Sequence, residues 1–151
     1  SEENIEKWIS ESFQFINNEN KPKNNKMELS LKTVSSNEIQ KLNKQYRGKD
    51  KTTNVLSFPS KSKDSKYWPE SPRYHLGDIV ICPEIIEMEA KRQKKEINFH
   101  WCHIVIHGFL HLFGFDHVSD SNAKEMELLE KKICIYLGFS DPYLQNLSDK
   151  H

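Results

Sequence analysis

The segment HGFLHLFGFDH, residues 107–117, carries His107, His111 and His117, with Gly114 between the second and third histidines. An α-helix turns about 100° and rises about 1.5 Å per residue, so residues four apart share one face. In a helix, His107 and His111 can therefore meet one metal ion. On a continued helix His117 would lie about 120° away from His111. The chain must break for it to join them, and glycine, which tolerates the left-handed conformation that ends helices, stands where the break is needed. Three neutral imidazoles with a fourth position open form the donor set of a catalytic zinc site. A structural site usually has four protein ligands, with cysteines prominent. Zinc suits this set, although nickel, copper and iron also accept imidazole, and zinc brings the pKa of a bound water to about 7. Asp116 is expected to hydrogen-bond a ligand imidazole from behind. His103, one turn before His107, could be a fourth ligand, but it reads more simply as a helix-face histidine hydrogen-bonded nearby.

Zinc proteases with this spacing place a glutamate directly after the first histidine as general base. Here that residue is Gly108. Peptide hydrolysis would need a base from elsewhere. Phosphodiester cleavage depends more on stabilising charge on the phosphate. Gly108 is accordingly expected to leave room beside the metal for a bulky phosphate.

LNKQYRGKDKTTNVLSFP, residues 42–59, is the second dense segment. Arg47 precedes Gly48, which should end a helix. A guanidinium there can clamp two phosphate oxygens, or simply favour the negative end of the helix dipole. Between Lys41 and Lys66 stand eight basic residues (Lys41, Lys44, Arg47, Lys49, Lys51, Lys61, Lys63 and Lys66), opposed by Asp50 and Asp64 alone. The formal net charge of the chain is zero. No global field draws it to a polyanion, but this local one could.

Taken together, His103 to His117, YRGKDKTTNVLSFP from Tyr46 and GDIVIC from Gly77 resemble the YbeY family, over about residues 27–138. Members are bacterial metal-dependent endoribonucleases that act in ribosomal RNA maturation. The resemblance implies that His107, His111 and His117 bind one Zn2+ and that Arg47 is the catalytic arginine. It implies cleavage of single-stranded RNA at the 3′ end of 16S ribosomal RNA, a part in ribosome quality control, and a ribosomal or small-subunit partner. Two departures stand out. Many relatives carry Asp where Asn54 stands, which puts a carboxylate role there in doubt. Relatives usually open on a short strand, whereas this chain opens on a helix, so a smaller sheet is expected. Tyr67, Trp68 and Tyr74 could stack on bases or serve as packing. The competing functions are a non-catalytic ribosome-assembly factor with a metal-organised surface, and a metallopeptidase.

The elements that must position these residues follow from pattern. Ile5, Trp8, Ile9, Phe13 and Ile16 predict a helix over residues 4–17. Met27, Leu29 and Leu31 alternate as a strand through Thr33. Ser35 with Glu38 forms a capping box for a helix burying Ile39, Leu42 and Tyr46. Residues 53–59 and 74–82 read as strands, separated by a surface loop over 60–73. Pro83 opens a helix to about Glu96, and a more apolar one covers 98–113. Asp120 or Ser121 should cap the last, which buries Met126, Leu129, Ile133 and Leu137 and stops at Gly138. This predicts a single α+β domain over residues 1–151, with about five helices, a small mixed sheet of three to four strands, a metal site on a central helix, and an irregular tail from 140. The three cysteines, Cys82, Cys102 and Cys134, are unpaired in number and lie in apolar stretches, so they are expected to be reduced and buried. No run reaches membrane-spanning length and no signal peptide opens the chain. A cytoplasmic protein is expected, without membrane or DNA partners.

Overall fold

The computed structural model describes residues 2–16, 26–60 and 73–144, and only the backbone at Lys26, Arg73 and Tyr74. The expected stacking aromatics, three of the eight segment cations (Lys61, Lys63 and Lys66), and most of the 60–73 loop and of the tail lie outside the described side chains.

Helix α1 spans Glu2–Ser12 and passes into a 3-10 turn over Phe13–Phe15, so the α-helix is shorter than its apolar spacing predicts. Ser12 turns its hydroxyl back onto the Trp8 carbonyl, a local bond that competes with the helical ladder. Phe13 then packs edge-on against Phe109 and Phe113. Strand β1 (Lys26–Thr33) leads to α2 (Ser36–Arg47). The Ser35 side chain caps this helix by accepting from Glu38 N–H, and Gly48 ends it at φ +69°, as the capping box and glycine predict. Tyr46 departs from expectation: it is mostly exposed and meets Phe58 edge-on.

Strands β2 (Val55–Pro59) and β3 (Arg73–Ile81) pair antiparallel, while β1 lies parallel on the other side of β3, giving the order β1-β3-β2. Cys82 leads into α3 (Pro83–Gln93), which ends at Lys94 in the left-handed region. Then come α4 (Ile97–Leu112) and α5 (Asp120–Tyr136). The cap of α5 is Ser119, whose hydroxyl accepts from Asn122 N–H at 3.1 Å, rather than Asp120 or Ser121.

The central strand buries both faces. Ile79 and Ile81 join the main core under α4, together with Val55, Phe109 and Met126. Val80 packs on the opposite side with Leu56, Val34 and Ile39 of α2. Helix α4 lies against β2 and β3 and also touches α1, α3 and α5. A helix surrounded in this way should be apolar all round, and nine of its residues are buried. Among the described residues, five α-helices and a three-stranded mixed sheet thus make the expected α+β domain. All three cysteines are free and buried. Among the described residues no helix is long and apolar enough to cross a membrane.

Candidate active site

The geometry begins at the end of α4. Glu96 caps its start, accepting from Phe99 N–H at 2.9 Å. At the other end Gly114 N–H reaches the His111 carbonyl at 3.0 Å, and Phe115 N–H the Leu110 carbonyl at 3.3 Å. Gly114 adopts φ +94°, and the chain reverses there. Asp116 then ties the loop to α5: its Oδ1 accepts from Val118 N–H at 3.0 Å and from Asn122 Nδ2 at 3.2 Å. The reversal brings His117 back to the helix. One nitrogen from each of His107, His111 and His117 falls within a 4.8 Å cluster. The Nε2 atoms of His107 and His111 lie 3.1 Å apart, and the His107 and His117 rings stack with centroids at 4.8 Å.

Behind His107 stands a residue that the motif does not contain. Glu130 of α5 has no exposed surface. It accepts from His107 Nδ1 at 2.9 Å, from His103 Nε2 at 2.6 Å and from the Tyr143 hydroxyl. The expectation that Asp116 would back a ligand imidazole is therefore corrected. A short side chain so close to His117 serves the loop backbone, and the longer Glu130 reaches across from the neighbouring helix. Burial alone would raise the Glu130 pKa, but the hydrogen bonds from His103 and His107 outweigh it and hold the carboxyl well below the usual range. Burial and Glu130 together push the Tyr143 hydroxyl up, so it stays a donor.

This arrangement sets the tautomer. An ionised Glu130 accepts the proton on His107 Nδ1 and leaves Nε2 as the nitrogen turned toward His111. His111 is pushed down to about 4, chiefly by burial and then by His107, partly opposed by a hydrogen bond to the Phe115 backbone; His117 and Arg47 depress it further. His111 is therefore neutral at pH 7. Nitrogen donors of this kind, converging around one point with a carboxylate behind one of them, fit a divalent cation. His103 is outside the cluster, turned to Glu130, in line with the simpler of its two readings.

Arg47 closes α2 with its side chain exposed, and its charge reaches His111. Asn54 donates from Nδ2 to Glu89 Oε1 at 3.0 Å, and buried His100 meets the same oxygen from Nε2 at 3.0 Å. Position 54 thus serves as a donor to a carboxylate.

Gly108 does not face the histidine cluster. A Cβ added there would meet Val55 Cγ2 at 3.0 Å, Ile79 Cγ2 at 3.2 Å and Ser57 Oγ at 3.2 Å. Its carbonyl accepts from Ser57 Oγ at 2.8 Å. The glycine lets α4 approach the sheet, and it does not make the room for a phosphate expected of it. Residues 107 and 108 differ by about 100° around the helix axis, so one faces the cluster and the other the sheet.

The chain matches the family described as Endoribonuclease YbeY over residues 1–138. It belongs to that family. Membership in the YbeY family makes the chain a nuclease acting on RNA. The fold is similar to the solution structure of TM1509 from Thermotoga maritima, with a TM-score of 0.57 and 29% identity, over 97% of this chain and 84% of that one. The histidine set that first pointed to the YbeY family is thus brought together in space, with Arg47 in electrostatic reach. Glu130 and Tyr143 were missed. Glu130 did leave a signal in the sequence: it is an acidic residue one turn after Met126 on the apolar stripe of α5.

Proposed function

We propose that this protein is a metal-dependent endoribonuclease that cleaves single-stranded RNA in ribosomal RNA maturation, at the 3′ end of 16S ribosomal RNA, with a further part in ribosome quality control. Its partner would be the ribosome or its small subunit. The observation that carries the reading is the convergence of three imidazole nitrogens within 4.8 Å beside the Arg47 charge. His107, His111 and His117 would hold one Zn2+, which supplies Lewis-acid stabilisation of a phosphate and activation of a nucleophile. The remaining work falls to the chain. Glu130 holds the His107 ring in one tautomer and orientation. Burial keeps His111 unprotonated at neutral pH. Arg47 binds the non-bridging phosphate oxygens, where negative charge grows in the transition state. Glu130 meets the Nδ1 side of His107, away from the converging Nε2 atoms, so it orients a ligand rather than replacing the protease base.

The test is cleavage of labelled precursor ribosomal RNA by zinc-loaded wild type, Arg47→Ala and His111→Ala. Loss of cleavage in both variants, with zinc lost only from His111→Ala, supports the reading. Equal behaviour of all three sinks it and favours the non-catalytic assembly factor. The product ends identify the nucleophile: a 5′-phosphate reports water, and a 2′,3′-cyclic phosphate reports the RNA 2′-hydroxyl.

A further inference from the structure

A concavity lined in part by Arg47 has a volume of about 420 Å3. That lies within the roughly 300–1,000 Å3 typical of small-molecule sites. Its rim brings together four cations: Arg47 at the end of α2, Lys49 and Lys51 from the following loop, and Arg92 from the last turn of α3. Among the described residues none of the four is in an ion pair. The lining carboxylate, Glu89, already accepts hydrogen bonds from His100 and Asn54. Four like charges around one hollow repel each other, and an anion placed among them relieves that repulsion.

The loop that presents the lysines is held in shape. Gly48 turns it in the left-handed region, and Lys49 N–H reaches the Asn43 carbonyl at 3.3 Å. Buried Asn43 donates from Nδ2 to the Lys51 carbonyl at 2.9 Å, and Gln40 donates to Asp50 at 3.1 Å. The backbone therefore needs little further ordering when a ligand arrives. The α3 side adds two apolar side chains: Ile85 and Met88 line the cavity beside Glu89 and Arg92, and Met88 is half exposed. Cations beside an exposed apolar side chain match a nucleotide, with its phosphate on the cations and its base against Met88.

We propose that this cavity is a nucleotide subsite: it holds the RNA nucleotide next to the phosphodiester at the histidine cluster, with Lys49, Lys51 and Arg92 on its phosphate and Met88 against its base. The proposal rests on the RNA-cleaving reading above. Arg47 joins the two, since it lines the cavity and is the residue assigned above to the phosphate. Arg92 was not part of the basic segment, because only the packing of α3 against the rest of the fold carries it to the Arg47 loop.

The experiment measures binding of a fluorescent single-stranded oligoribonucleotide to the zinc-loaded protein across a salt series. The variants are Arg92→Ala, Lys51→Ala, Met88→Ala and, as a charge control outside the cavity, Lys132→Ala on α5. Arg92→Ala and Lys51→Ala should each weaken binding about tenfold and flatten the slope of log affinity against log salt by about 0.7. Met88→Ala should weaken binding without changing that slope, and Lys132→Ala should change neither. Wild-type affinity and slope in Arg92→Ala and Lys51→Ala, from a wild type that binds and cleaves RNA, overturn the subsite and leave the nuclease reading intact. Equal loss in Lys132→Ala also overturns it, because the effect is then one of general charge. If the wild type neither binds nor cleaves RNA, the nuclease reading fails and the subsite falls with it.

Discussion

Glu130 anchors the histidine cluster through His107. A carboxylate with no exposed surface is costly unless its oxygens are occupied. Here His103, His107 and Tyr143 occupy them. The result is one fixed orientation for His107, the histidine nearest the middle of the cluster. Glu130→Gln keeps the shape but removes the charge that requires the proton on Nδ1. It should weaken zinc binding about 10–100-fold, read by competition with a chromophoric chelator. A correctly folded Glu130→Gln with wild-type zinc affinity would refute this positioning role. Arg47 contrasts with Glu130. It is exposed and makes no ion pair among the described residues, so its replacement should be read in RNA cleavage rather than in stability.

At the scale of elements, α4 joins the site to the core. One of its faces presents His107 and His111, while Gly108 lies against β2 and β3. The contacts a Cβ would make at 3.0–3.2 Å leave no slack, and overpacking a full core costs about 1–3 kcal/mol. Gly108→Ala should therefore lower the urea midpoint by an amount in that range, with zinc affinity falling only as the helix shifts. Gly108→Glu should fail to fold at all, since it would bury an unpaired charge between helix and sheet. A stable Gly108→Glu that binds zinc and loses only RNA cleavage would reinstate the phosphate-room reading rejected here. At the helix end, Gly114 and the Asp116 bonds turn a periodic segment into a site by returning His117 to it.

For the whole molecule, the Asn54–Glu89–His100 cluster joins the approach to β2, α3 and α4. Burial alone would raise the Glu89 pKa, but the hydrogen bonds from His100 and Asn54 outweigh it and leave it below 4.5. A carboxyl depressed by folding stabilises the fold fully above its unfolded pKa, and that contribution is lost as pH falls through the folded value. Thermal melts of wild type and Glu89→Gln should therefore differ most at neutral pH. The gap should close as pH drops below about 4.5. A gap that is constant from pH 7 to pH 3 would mean that the Glu89 charge contributes nothing.

What the sequence determined by itself was local. The spacing of His107 and His111, the break at Gly114, the capping box at Ser35 and the alternation in β1 each act within a few residues, through helix periodicity, backbone freedom and strand pleat. The order of elements, the α+β class and the buried free cysteines followed from the same signals. Contacts between distant segments were decided only by the tertiary structure. It placed Glu130 behind His107 across 23 residues, took Asp116 for the loop backbone, and brought Arg92 to the Arg47 loop. It also turned Gly108 toward Val55 and Ile79. The physical reason is that periodicity says which residues share a face, while packing decides what that face meets. The histidine motif could be read as a candidate ligand set from its spacing alone, but the carboxylate that orients His107 comes from another helix.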